Sequence, residues 1–165
     1  MDPVTLSVTI DRPREEIFSY LLDIANHAEF TDHYLVDWRL TREQSVGRGA
    51  GARFRVRRRR DRKRFNWADV TLIEVEPPRR IVEAGRGGKG NRIRLRAVYE
   101  LEPGPGGTTR VTWSVETQPA TLWDRLVEGR LRRYLKRRNA KALRRLRTIL
   151  EDGEGRGQRV SLAAG

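Results

Sequence analysis

With 165 residues, the chain is long enough for one domain with a core of its own. It has no cysteine, which excludes disulfides, thiolate metal sites and cysteine nucleophiles and fits a reducing, cytoplasmic setting. The net charge of +13 invites phosphate-bearing partners, but an arginine-rich composition governs solubility and non-specific attraction before it specifies any partner. No apolar run approaches about 18 residues, so no membrane-spanning helix is expected, and MDPVTLSVTI lacks the basic-then-apolar order of a signal peptide.

Val4, Leu6, Val8 and Ile10 alternate with Thr5, Ser7 and Thr9, which predicts a half-buried strand. A helix follows, with Asp11 or Arg12 near its cap, Pro13 in its first turn and Glu15 and Glu16 at its positive end. Ile17, Phe18, Leu21, Leu22 and Ala25 form its apolar side. A second short helix or turn is expected over 26–32. Tyr34, Val36, Trp38 and Leu40 then alternate with Leu35, Asp37, Arg39 and Thr41 as a second strand. The glycine-rich stretch before Gly51 lacks the Gly-Lys-Ser/Thr and the following helix of a phosphate-binding loop, so it reads as a tight turn.

A third strand carries Ala52, Phe54 and Val56 on one face and Arg53, Arg55 and Arg57 on the other. Residues 57–64, RRRRDRKR, read as a solvated hairpin tip. The fourth strand, 65–76, has an ambiguous parity: Phe65, Trp67, Ile73 and Val75 compete with Ala68, Val70 and Leu72. A short fifth strand spans 80–84. The sixth puts Ile93, Leu95, Ala97, Tyr99 and Leu101 inside, and the seventh does the same with Val111, Trp113 and Val115.

The last element is a helix over 121–151. Thr121 caps it, Asp124 favours its positive end and Gly153 lies just beyond it. Leu122, Leu126, Leu131, Leu135, Ala142, Leu146 and Ile149 recur at helical spacing. At 1.5 Å per residue it is about 45 Å long. Residues 153–165 lack periodicity and are expected to form a disordered tail after a single domain over 1–152. Strands segregated from helices, and joined by hairpin-length turns, predict an α+β fold with an antiparallel sheet.

In that order the chain resembles the polyketide cyclase/dehydrase-like branch of the START/Bet v 1 superfamily. The resemblance rests on Pro13 to Phe18, the Gly47-x-Gly49-x-Gly51 turn, the run from Ile73 to Val82, the run from Gly106 to Thr112 and the closing helix. It implies a helix-grip fold, in which a curved sheet of about seven strands wraps the C-terminal helix, with two short helices after the first strand. It also implies a cavity for a hydrophobic or aromatic small molecule, and cyclase or dehydratase activity in some members. The resemblance carries over no catalytic motif and no cofactor.

The expected lining is Trp38, Phe54, Trp67, Ala97, Tyr99 and Trp113 from the strands and Leu126 from the helix. These aromatics would either stack on a ligand or simply fill the core. His27 and His33 do not have the spacing of a metal pair, and no metal is expected. Each reads as a surface or loop-mouth histidine, with proton transfer as the alternative. Asp69 and Glu83 face either the cavity or the arginine-rich surface. Arg130, Arg133, Arg137, Lys141 and Arg144 lie in line along the helix as a solvated face. A basic module binding nucleic acid or anionic membrane lipid is the alternative function, although nucleic acid is not the favoured partner because no exposed aromatics are interleaved. A homodimer is left open.

Overall fold

In the computed structural model, residues 3–57, 67–118 and 122–160 are described, apart from the side chains at 89 and 122–128. The elements are β1 (Val4–Ile10), α1 (Arg14–Leu22), α2 (His27–Thr31), β2 (Leu35–Leu40), β3 (Gly51–Val56), β4 (Trp67–Glu76), β5 (Arg80–Gly87), β6 (Ile93–Pro103), β7 (Thr109–Gln118) and α3 (Leu122–Asp152). All seven strands form one antiparallel sheet in the order β1-β7-β6-β5-β4-β3-β2. The sheet curves around α3, which buries Ala142, Leu143, Leu146, Ile149 and Leu150 against it. This is the α+β helix-grip architecture. No described helix is long and apolar enough to cross a membrane.

Two β-bulges account for the strands in which simple alternation fails. In β2 the register shifts between Val36 and Arg39, and Asp37 adopts φ 55°. The extra residue places Leu35 and Trp38 on the same face, so a period of two counted from Tyr34 does not hold. In β4 the shift falls between Leu72 and Glu74. Ala68, Val70 and Leu72 point inward before it, Ile73 is exposed and Val75 is half-buried beyond it. The pattern of Ala68, Val70 and Leu72 therefore holds up to the bulge, and of the competing set only Val75 packs against the core beyond it. Pro13 sits at the N-cap of α1 rather than within its first turn. Between β4 and β5 the backbones approach closely: a Cβ at Gly85 would lie 1.8 Å from the Asp69 carbonyl oxygen. Only glycine permits that approach.

The turn before β3 is no phosphate cradle. Its amides are already committed, Gly47 N–H donating to Leu22 O at 3.1 Å and Gly49 N–H to Leu72 O at 2.8 Å. Gly47 and Gly49 have φ of 86° and 92°, a region that glycine enters without strain. The basic run after Arg57 lies outside the described residues.

Gly153 ends α3 with φ 71° and donates its N–H to Ile149 O at 3.0 Å. The expectation of a disordered segment beyond it needs correction as far as residue 160. Gly157 N–H bonds to Glu29 O at 2.9 Å and Val160 N–H to Ala25 O at 3.2 Å. Val160 is buried on Ala25 and Ala28, with Trp38 and Leu40 beside it. Arg159 reaches Asp23 and Asn26. A single apolar residue in a polar tail gives no periodic signal, yet it is enough to anchor the segment across α2.

Candidate functional site

A cavity of about 150 Å³ lies between the concave face of the sheet and α3. That is close to the size of a buried cavity able to admit one benzene ring. Trp38, Phe54, Ala97, Tyr99 and Trp113 all line it. Trp38 and Phe54 meet with ring centroids 4.5 Å apart. Tyr99 and Trp113, cross-strand partners on β6 and β7, stack at 5.4 Å with planes 9° apart. Trp67 borders the cavity, but its ring lies under the Arg39 guanidinium, 4.9 Å from the centroid. It thus faces the side of the sheet that bears Arg53 and Asp69. Leu126 falls among the side chains outside the described residues. Among described residues, α3 contributes Leu131, Leu135 and Asn139, four residues apart on one face.

Thr31, Arg96, Thr117 and Asn139 also line the cavity, but His27 and Glu83 form its buried titratable pair, and His27 corrects the sequence-based expectation. His27 is not at the surface. It opens α2, is 2% exposed and lines the cavity. The Tyr99 ring meets it edge-on at 5.6 Å, and Phe30 packs against it at 5.6 Å. Glu83 comes from β5 and is 7% exposed. The imidazole Nδ1 lies 2.9 Å from Glu83 Oε1, and Nε2 lies 2.7 Å from Leu21 O. A carbonyl only accepts, so Nε2 carries a proton and donates it. The labile proton of the pair is therefore the one shared between Nδ1 and Oε1.

Burial alone would lower the His27 pKa, but the adjacent Glu83 carboxylate outweighs it and the net shift is upward. Burial, reinforced by the Glu83 charge, pushes the Tyr99 phenol well above its ordinary value. Tyr34 is raised as well, first by burial, then by Tyr134 and Glu83, and its hydroxyl donates to Asn139 Oδ1 at 2.6 Å. Both phenols stay protonated and can act only as neutral hydrogen-bond groups. Glu83 Oε1 has the His27 Nδ1 contact as its partner, whereas the buried Trp113 Nε1–H has none among the described residues. An unsatisfied buried group costs about 1–3 kcal/mol, so a ligand that supplies an acceptor to Trp113 would recover that cost.

The other sequence candidates lie elsewhere. Asp69 points away from the cavity and accepts two hydrogen bonds from Arg53, at 2.6 and 3.0 Å. His33 is half-buried against α3, with Nε2 3.1 Å from Arg138 O and Nδ1 3.3 Å from Arg145 Nη1. Burial lowers its pKa, and Arg145, Lys141 and Arg138 lower it further. The sequence does hold a faint signal for His27: Ala25, Ala28 and Phe30 around it are apolar, which suits a buried position. Nothing local names Glu83 as its partner, because that contact is made across the fold.

Comparison with known proteins agrees with this geometry. Residues 1–151 match the family described as "Polyketide cyclase / dehydrase and lipid transport". No curated protein matches the chain. Among solved structures, TTHA0849 from Thermus thermophilus is similar with a TM-score of 0.69 at 13% identity, over 90% of this chain and 96% of that one. DR_A0006 from Deinococcus radiodurans has a TM-score of 0.62 at 19% identity, over 92% and 98%. A truncated norcoclaurine synthase from Thalictrum flavum has a TM-score of 0.67 at 10% identity, over 92% and 97%. At such identities the likeness is one of fold.

Proposed function

Because the chain belongs to the polyketide cyclase/dehydrase and lipid-transport family, we propose that its cavity binds a hydrophobic, ring-bearing small molecule and that His27 and Glu83 move a proton on it. The observation that carries this reading is the buried His27–Glu83 pair, 2.9 Å apart, in the wall of a cavity lined mostly by apolar and aromatic side chains. Perturbed titratable groups that converge in a cavity are the usual mark of proton chemistry. Trp38, Phe54, Ala97, Tyr99 and Trp113 hold the rings. The Trp113 Nε1–H is the free donor for a substrate oxygen.

The reaction class is elimination of water from a hydroxylated, ring-bearing substrate. The protonated pair gives its proton to a hydroxyl, which departs as water. The emptied pair then takes a proton from the neighbouring carbon, and the electrons of that C–H bond form the new double bond. The substrate loses one water, and the pair ends as it began. A positioned acid–base group of this kind contributes about 10²–10⁴ in rate. The surrounding wall excludes bulk water and holds the departing hydroxyl and the neighbouring C–H bond against the pair.

The test is deuterium uptake at the α-carbon of 4-phenyl-2-butanone in D2O, followed by NMR. Saturable exchange at least tenfold above buffer is expected. Glu83→Gln and His27→Gln should each reduce it tenfold or more, while Trp fluorescence still reports ketone binding. Ala97→Trp should abolish binding. Exchange unchanged in both pair variants would overturn the catalytic assignment and leave a carrier. Equal binding to wild type and Ala97→Trp would overturn the cavity itself.

A further inference from the structure

The outer side of α3 carries a feature that the cavity chemistry leaves unused. Arg130, Arg133, Tyr134, Arg137, Arg138 and Lys141 enclose a groove of about 560 Å³. Among the described residues no carboxylate lines it, and none of these five cations forms an ion pair. Further along the same helix, by contrast, Arg145 pairs with Asp32 and Arg147 with Glu151. Arg138 is held over the Tyr134 ring, 5.3 Å from its centroid. Like charges three and four residues apart repel, so this arrangement costs stability unless an anion sits between them.

Arg130 and Tyr134 of the groove each precede, in the sequence, a cavity-lining leucine, Leu131 and Leu135. The Tyr134 hydroxyl donates to Arg57 O at 2.6 Å, and the neighbouring Val56 lines the cavity. Tyr134 packs against the core as Leu135 does and also borders the groove. A molecule whose rings lie among Trp38, Phe54 and Trp113 would meet guanidinium groups if its tail passed Leu131 and Leu135. Arginine forks match phosphate oxygens two at a time.

We propose that the groove holds a phosphate-bearing tail of the ligand whose apolar end occupies the cavity. The inference rests on the cavity reading above and narrows it to phosphate esters that carry a hydrophobic acyl or aryl group. The cavity sets the size of the apolar end, and the groove supplies the charge.

Calorimetric titration with 4-phenylbutanol and with 4-phenylbutyl phosphate separates the two claims. In 50 mM salt the phosphate is expected to bind at least tenfold more tightly than the alcohol. Raising salt to 300 mM should erode that gain and leave the alcohol unchanged, as for any charge-driven contact. Arg133→Ser/Arg137→Ser, both at exposed positions, should bring the ratio below threefold without altering alcohol affinity. Arg42→Ser/Arg48→Ser removes the same charge from another exposed site and should keep the ratio. Equal affinities in wild type would overturn the tail site alone. So would a ratio that survives the groove variant, or one that falls equally in the control variant. Failure of the alcohol to bind, with the phosphate still bound, would overturn the cavity reading on which the inference rests.

Discussion

Two carboxylates on neighbouring strands, one on each face of the sheet, sit in opposite circumstances. On the convex face, Asp69 of β4 meets the Arg53 guanidinium in solvent, with side chains 33% and 44% exposed. On the concave face, Glu83 of β5 meets His27 away from water, with side chains 9% and 3% exposed. In water the outer pair gains little, because each ion would be well solvated without the other. The inner pair has surrendered that solvation and depends on its partner. The outer carboxylate thus covers an arginine-rich surface, and the inner one is held in the cavity wall by a single buried partner.

The largest effect should come from splitting the inner pair. Glu83→Ala should lower unfolding free energy by about 3–5 kcal/mol in a urea titration, since it strands His27 in an apolar wall. A double replacement, His27→Leu/Glu83→Leu, should be far milder, because nothing charged is left behind. A double variant as damaging as the single one would show that the pair stabilises the fold and does not burden it.

A second effect is a pH dependence that separates the histidines. The folded-state pKa of His27 is raised, so its contribution to stability is complete below the ordinary value near 6.5 and fades as pH climbs through the raised value. Its neighbours Leu21 O, Glu83, Phe30 and Tyr99 offer no second cation. His33 is lowered, so it opposes folding as pH falls below about 6.5. Imidazole NMR should find His27 titrating above that value and His33 below it. The loss of melting temperature on the alkaline side should flatten in His27→Gln. A reversed order would remove the Glu83 charge from the account.

The smallest effect belongs to the convex face. Asp69→Asn should change stability by less than about 1 kcal/mol, and less still in high salt. A loss comparable to that of Glu83→Ala would erase the distinction between the faces.

Most of the fold was legible because its cues are local. Period-two runs such as Leu95, Ala97 and Tyr99, and the uninterrupted helical pattern from Leu122, need no partner to be recognised. The bulges at Asp37 and Ile73 were not legible, since an extra residue declares itself only when the opposing strand is in place. Of the candidate lining, Phe54, Ala97, Tyr99 and Trp113 follow from parity, whereas Trp38 lies at a bulge that parity does not show. Trp67 borders the cavity with its ring against Arg39, which its strand's alternation alone does not reveal. His27 was hidden for another reason: its environment depends on Leu21, Tyr99 and Glu83, three residues from three elements. The unpaired stripe on α3 was visible as charge, but its emptiness of carboxylates required the fold.

The segment beyond Gly153 has a practical consequence. Its apolar anchor, Val160, presses on the short helix that His27 opens. Trimming back to Asp152, or fusing a bulky reporter close to residue 160, would loosen the acid–base corner without touching it. Tags for assay are better placed in the exposed β6–β7 turn at 105–107, away from that clasp.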